Sequence, residues 1–156
     1  MFKIRSTKLE RIDTGDYTAE EYDRFLSEIR LVNRFAGDNW ALGKTLLTEV
    51  VNENLKEFSV LDIGAGSGEL LRTIAKTGRN QERKAKLYGL ELNKRSAESI
   101  VEESIEYGEI EAVRGDALKL PFRDDSFDYV FSSLFTPHLR DEQIIQSLGE
   151  MSRVSR

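Results

Sequence analysis

Val60-Leu61-Asp62-Ile63-Gly64-Ala65-Gly66-Ser67-Gly68 carries an apolar run into three glycines on alternate positions, and Glu69-Leu70-Leu71-Arg72-Thr73-Ile74-Ala75 follows with helical spacing. The run predicts a strand, the glycines a tight turn, and the remainder a helix. Glycines let the backbone turn sharply and approach a ligand with no Cβ in the way, and the N–H groups of the helix start point at whatever polar group sits there. The spacing also discriminates among nucleotides. A dinucleotide fingerprint is G-x-G-x-x-G and a phosphate loop is G-x-x-x-x-G-K-[ST], whereas here the pattern is G-x-G-x-G followed by the acid Glu69. Neither phosphate motif fits well.

Outward from that turn, strands and helices alternate. Leu87-Tyr88-Gly89-Leu90-Glu91-Leu92 reads as a second buried strand ending in an acid, the place where open α/β folds grip ribose hydroxyls. A third strand is expected in Ile110 to Ala117 and a fourth from Asp128 to Ser133, with a helix over 93–107 and a polar, basic loop over 77–86. Asp141 can cap a last helix carrying Ile144, Ile145, Leu148 and Met151 on one side. Before the turn, Thr18-Ala19-Glu20-Glu21 is a capping box ahead of Tyr22, Phe25, Leu26, Ile29 and Val32. A second N-terminal helix starts near Asp38 and carries Trp40, Leu42, Leu46, Leu47, Val50 and Val51. Such alternation predicts a parallel sheet covered on both faces.

Composition bounds the reading. With 156 residues, 39% hydrophobic and 33% charged, the chain suits one domain with one core. We expect a single unit over 1–156, in which 1–56 is a helical lid and 57–156 the ligand-binding half. No apolar run approaches the roughly 20 residues that cross a bilayer, and the start lacks the apolar core of a signal peptide, so a cytoplasmic protein without membrane contact is expected. Cysteine is absent and histidine occurs once, which leaves no metal constellation to propose. A net charge of −5 offers no broad basic field for nucleic acid.

V-L-D-I-G-A-G-S-G resembles the first motif of the class I, Rossmann-like methyltransferases that use S-adenosylmethionine. Gly115-Asp116-Ala117 with Leu120-Pro121-Phe122 is similar to the family's G-D-A-x-x-L-P-F, and Ser126-Phe127-Asp128-Tyr129-Val130 to its S-F-D-x-V strand. Ser133-Leu134-Phe135-Thr136-Pro137-His138 and Glu150-Met151-Ser152-Arg153-Val154 resemble S-L-F-x-H-H and E-M-x-R-V of small-molecule methyltransferases, with Pro137 in place of the first histidine. The resemblance implies a three-layer α/β/α fold with S-adenosylmethionine as cofactor. It implies a sheet in the order 3-2-1-4 after two N-terminal helices, cut short before strands five to seven.

The same resemblance implies the site. Asp62, Gly64, Ala65, Gly66 and Gly68 would form the cofactor turn, Glu91 would hold the ribose with Leu92 beside it in the cofactor site, and Asp116 and Ala117 would face the adenine. Ser132 would lie at the tip of the fourth strand. From their place near the junction of the two N-terminal helices, Asn33, Arg34 and Trp40 are expected to close over the methionine end. His138, alone after Pro137, is the candidate general base. Simpler readings stand beside these: Asp116 can cap its own turn, Asp124 and Asp125 suit a surface turn, and the basic segment 79–84 suits a solvated loop. The expected function is methyl transfer to a small acceptor, aromatic, quinone-like or polyketide-like. A cofactor-binding module without activity is the alternative, completed by a second copy or a partner pairing along the fourth strand's edge. A nicotinamide-dependent oxidoreductase is disfavoured by the glycine spacing.

Overall fold

In the computed structural model, the structure describes residues 17, 18, 20–22, 24, 28, 42, 45–133 and 139–156. The elements run α1 (Leu46–Asn52), β1 (Glu57–Ile63), α2 (Glu69–Asn80), β2 (Lys84–Glu91), α3 (Lys94–Glu103), β3 (Ile110–Arg114), β4 (Tyr129–Phe131) and α4 (Asp141–Val154). All pairings are parallel and the strand order is β3-β2-β1-β4, as expected. β1 and β2 are in register from Glu57 with Lys84 to Ile63 with Leu90. The glycine turn and Glu91 therefore emerge side by side, at the carboxyl ends of adjacent strands.

Alternate residues of β1 serve two cores. Phe58 and Val60, with Leu87 of β2, pack against Leu71, Ile74 and Ala75 of α2 and Leu46 and Val50 of α1. Leu61, Ile63 and Leu90 point the other way, toward Leu120, Phe127 and Val154. With helices over both faces and a strand on each side, every residue from Phe58 to Ile63 is buried, which is why β1 reads as an uninterrupted run rather than an alternating one. β4 pairs on one side only among the described strands, and its residues are half-buried.

Several boundaries differ from expectation. The loop over 77–86 is reduced to Gln81-Glu82-Arg83, because α2 runs on to Asn80 and β2 begins at Lys84. Its basic residues are not a solvated run. Arg79 makes a two-pronged contact with Glu109 at 2.6 Å on both prongs, and Arg83 donates to the carbonyls of Val50 and Leu55. The helix expected over 93–107 stops at Glu103, with Asn93 as its N-cap rather than its first residue. The fourth strand is three residues long, because Asp128 leaves the ladder to accept the Ser59 amide and hydroxyl at 2.7 Å each. Asp141 opens α4 instead of capping it; Arg140 holds the cap position.

At the N-terminal end the capping box is formed: the Thr18 amide donates to Glu21 at 2.8 Å and the Glu21 amide to the Thr18 hydroxyl at 3.2 Å. Most of the segment 1–56 lies outside the described residues.

Candidate functional site

The three glycines are required by their backbone angles. Gly64, Gly66 and Gly68 have φ of 74°, 60° and 79°, left-handed values that strain any residue with a Cβ. The first two residues of the turn are pinned to β2, since Gly64 and Ala65 donate to the Leu90 carbonyl at 2.9 and 3.4 Å. Gly68 closes the loop on the Ala65 carbonyl at 2.8 Å. Arg72 braces it from behind, donating to the Ser67 carbonyl at 2.5 Å and to Glu103 of α3 at 3.2 Å. Asp62 lies buried one residue below the end of β1, only 2% exposed, between Gly89 and Phe131 of the neighbouring strands.

Glu91 meets this turn directly. One carboxyl oxygen accepts the Gly66 amide at 2.6 Å. Burial pushes its carboxyl up to about 7, although the Gly66 and Leu92 amides both favour the charged form. The group is thus balanced between neutral and charged states near neutral pH. Beside it, Leu92 is 67% exposed, an aliphatic surface left open by the described residues.

Gly115 donates to the Glu91 carbonyl at 2.9 Å, which brings the Asp116 turn alongside the end of β2. Asp116 accepts the Leu118 amide at 2.8 Å and so caps its own turn, while Ala117 is buried against the core. Ser132 donates to the Ile63 carbonyl at 2.8 Å and ties the tip of β4 to the end of β1. Asp62, Gly64, Ala65, Gly66, Gly68, Glu91, Leu92, Asp116, Ala117 and Ser132 are therefore gathered at the carboxyl end of the sheet, where open α/β folds hold their ligands. Asn33, Arg34, Trp40 and His138 lie outside the described residues.

A Cβ built on Gly66 meets nothing within 4 Å among the described residues, so the turn has an open side there. An open left-handed turn, a carboxyl reaching across it and a bare aliphatic residue next to that carboxyl suit a nucleoside with free ribose hydroxyls. No lysine stands in the turn to meet a phosphate, and Glu69 at the helix start would oppose one. The residues fit S-adenosylmethionine.

Two features were missed from the sequence. Gly89 lies where a Cβ would meet Ile100 and Leu71 at 2.9 Å and Ala65 at 3.1 Å, so its absence of a side chain lets α2, α3 and the turn close on β2. A glycine inside an apolar strand is the available signal for such an approach. Tyr22, the first apolar residue after the capping box, is buried against Ser96 of α3 rather than serving only as helix filling.

A model of the methyltransferase domain family matches residues 60–156. Cycloartenol-C-24-methyltransferase 1 of Oryza sativa subsp. japonica is 36% identical over 88 residues, 53% of this chain and 23% of the relative. Among solved structures, the YcgJ protein of Bacillus subtilis is 27% identical with a TM-score of 0.56, covering 65% of this chain and 41% of the other. A SAM dependent methyltransferase from Aquifex aeolicus is 27% identical with a TM-score of 0.55, covering 70% and 57%. The chain spans less than a quarter of the curated relative and roughly half of these two structures. No helix among the described residues is long and apolar enough to cross a membrane.

Proposed function

The chain belongs to the methyltransferase domain family, and from that membership we propose that it binds S-adenosylmethionine on the Gly64–Gly68 turn and takes part in methyl transfer to a small-molecule acceptor. The observation that carries the reading is the contact of Glu91 with the Gly66 amide, at a turn whose open side has room for a ligand. Glu91 accepts the ribose hydroxyls, Leu92 packs on one face of the adenine, and Asp116 and Ala117 border its edge. The backbone of Gly64, Ala65, Gly66 and Gly68 lines the ribose and the methionine side, with Asp62 and Ser132 supporting the ends of β1 and β4.

The bound cofactor supplies an electrophilic methyl group on a sulfonium. The chain's own residues have three tasks: to fix the donor, to exclude water, and to align an acceptor atom at about 3–3.5 Å. For an acceptor that must lose a proton, His138 is the proposed base, with Arg34 and Trp40 closing the methionine end. The open edge of β4 supports a sheet that is completed by a strand from another chain or copy.

Calorimetric titration with S-adenosylmethionine, S-adenosylhomocysteine and NAD tests the reading. Binding of the first two without the third is expected. Binding of NAD alone, or of none, would overturn it.

A further inference from the structure

The corner after Glu91 is held from an unexpected direction. Asn93 accepts the amides of Arg95 at 2.8 Å and Ser96 at 3.4 Å and so starts α3, while its own amide group donates to the Tyr17 hydroxyl. Ser96, buried in the first turn of α3, shares a hydrogen bond with the Tyr22 hydroxyl. The two tyrosine rings stack with centroids 4.7 Å apart and 26° between planes. Tyr22 is 3% exposed, and burial, with the nearby Glu91 and Tyr17 adding to it against the Ser96 bond, pushes its phenol up to about 12. Two rings that flank one capping box thus place both hydroxyls on the polar groups that fix the acid's corner. Filling a core requires no such hydroxyls.

We infer that Tyr17 and Tyr22 form a clasp that positions Glu91 toward the cofactor ribose by holding Asn93 and Ser96 from the N-terminal side. The inference rests on the ribose reading of Glu91. The cations near the acid among the described residues are engaged elsewhere. Arg114, opposite Glu91 on β3, donates to the Leu92 carbonyl at 3.2 Å. At the start of α3, Lys94 pairs with Glu98 at 3.4 Å and Arg95 with Glu102 at 2.9 Å. Asp62 lies on the adjacent strand β1, and Glu69 opens α2 beyond the turn. Burial is what raises the Glu91 carboxyl, and the buried Tyr22 ring stands near enough for Glu91 to act on its phenol, so removing the ring should let water closer to the acid.

The test is calorimetric titration of S-adenosylhomocysteine against the full chain and its Tyr22→Phe, Ser96→Ala and Tyr22→Ala variants, between about pH 5.5 and 8.5. Tyr22→Phe and Ser96→Ala each break the hydroxyl contact and keep the ring, so affinity should fall about two- to tenfold with the pH midpoint of binding in place. Tyr22→Ala should also move that midpoint downward from about 7 toward the ordinary carboxylate range. A ring that only stabilises the fold would lower the melting temperature and leave the affinity and midpoint of the folded fraction unchanged, which would overturn the clasp. Should Tyr22→Ala fail to fold, the other two variants decide through affinity alone. If the unaltered chain does not bind S-adenosylhomocysteine, the ribose reading itself fails and the clasp with it; if it binds and all variants match it, only the clasp fails.

Discussion

The proton on Glu91 sets how the free and the ligand-bound chain respond to pH. An unfolded glutamate titrates near 4.5 and this one is raised to about 7, so the folded chain keeps a proton that the unfolded chain releases between those values. Stability of the free chain should therefore fall as pH rises through that window, on the order of 1–3 kcal/mol, and level off above it. Urea midpoints at about pH 5 and pH 8 measure the slope, which Glu91→Gln should flatten. Affinity for S-adenosylhomocysteine should move the opposite way, rising with pH, because the charged carboxylate is the stronger acceptor for ribose hydroxyls. Gly66→Val tests the turn: its φ of 60° resists a β-branched residue, and the new side chain enters the open space. Binding should drop by more than about tenfold, from strain of about 1–2 kcal/mol added to the occluded space, while circular dichroism stays native. Gly66 and Glu91 were legible in the sequence, because left-handed turns and strand-end acids leave local signatures. The bond between them was not, since it joins residues 25 apart in the chain.

Elements are joined here by a few long side chains. Arg153 of α4 donates to the carbonyls of Leu120 at 3.2 Å and Phe122 at 2.9 Å, to Asp124 at 2.8 Å and to Glu150 at 2.7 Å, while Glu150 accepts the Leu120 amide at 2.7 Å. The L-P-F segment is thus fastened to α4, which accounts in structural terms for the resemblance carried by Glu150 and Arg153. Arg153→Ala should lower the midpoint of denaturant melts by depriving these acceptors of their shared donor. Arg153→Lys should not restore it, because an ammonium lacks the planar fork. The Arg153 guanidinium holds the Glu150 carboxyl down at about 2, so this contribution is present above pH 4.5 and is lost as pH falls toward 2. Gly89→Ala belongs to the same scale. The added methyl presses Leu71, Ile100 and Ala65, and overpacking of about 1–3 kcal/mol should lower the melting temperature and loosen the turn. Helix and strand types were readable from periodicity. Their ends were not, because Arg79, Arg83 and Asp128 set them through partners in other elements.

Across the whole molecule, the sheet ends in β3 on one side and β4 on the other among the described strands. β4 pairs only with β1, and next to it α4 exposes Ile145 and Leu148, at 72% and 54%. A strand and apolar side chains open together favour association, so light scattering should report a mass above that of one chain. A stable monomer would count against pairing. The sequence by itself determined the order of elements, the parallel sheet, the glycine turn and the family, because apolar periodicity and positive-φ glycines are dictated within a few neighbouring residues. Only the tertiary structure decided what steadies the acid. Tyr22 meets Ser96 across 74 residues and Tyr17 meets Asn93 across 76, and no local pattern encodes such a meeting, since it exists only once packing has brought the two tyrosines onto the start of α3.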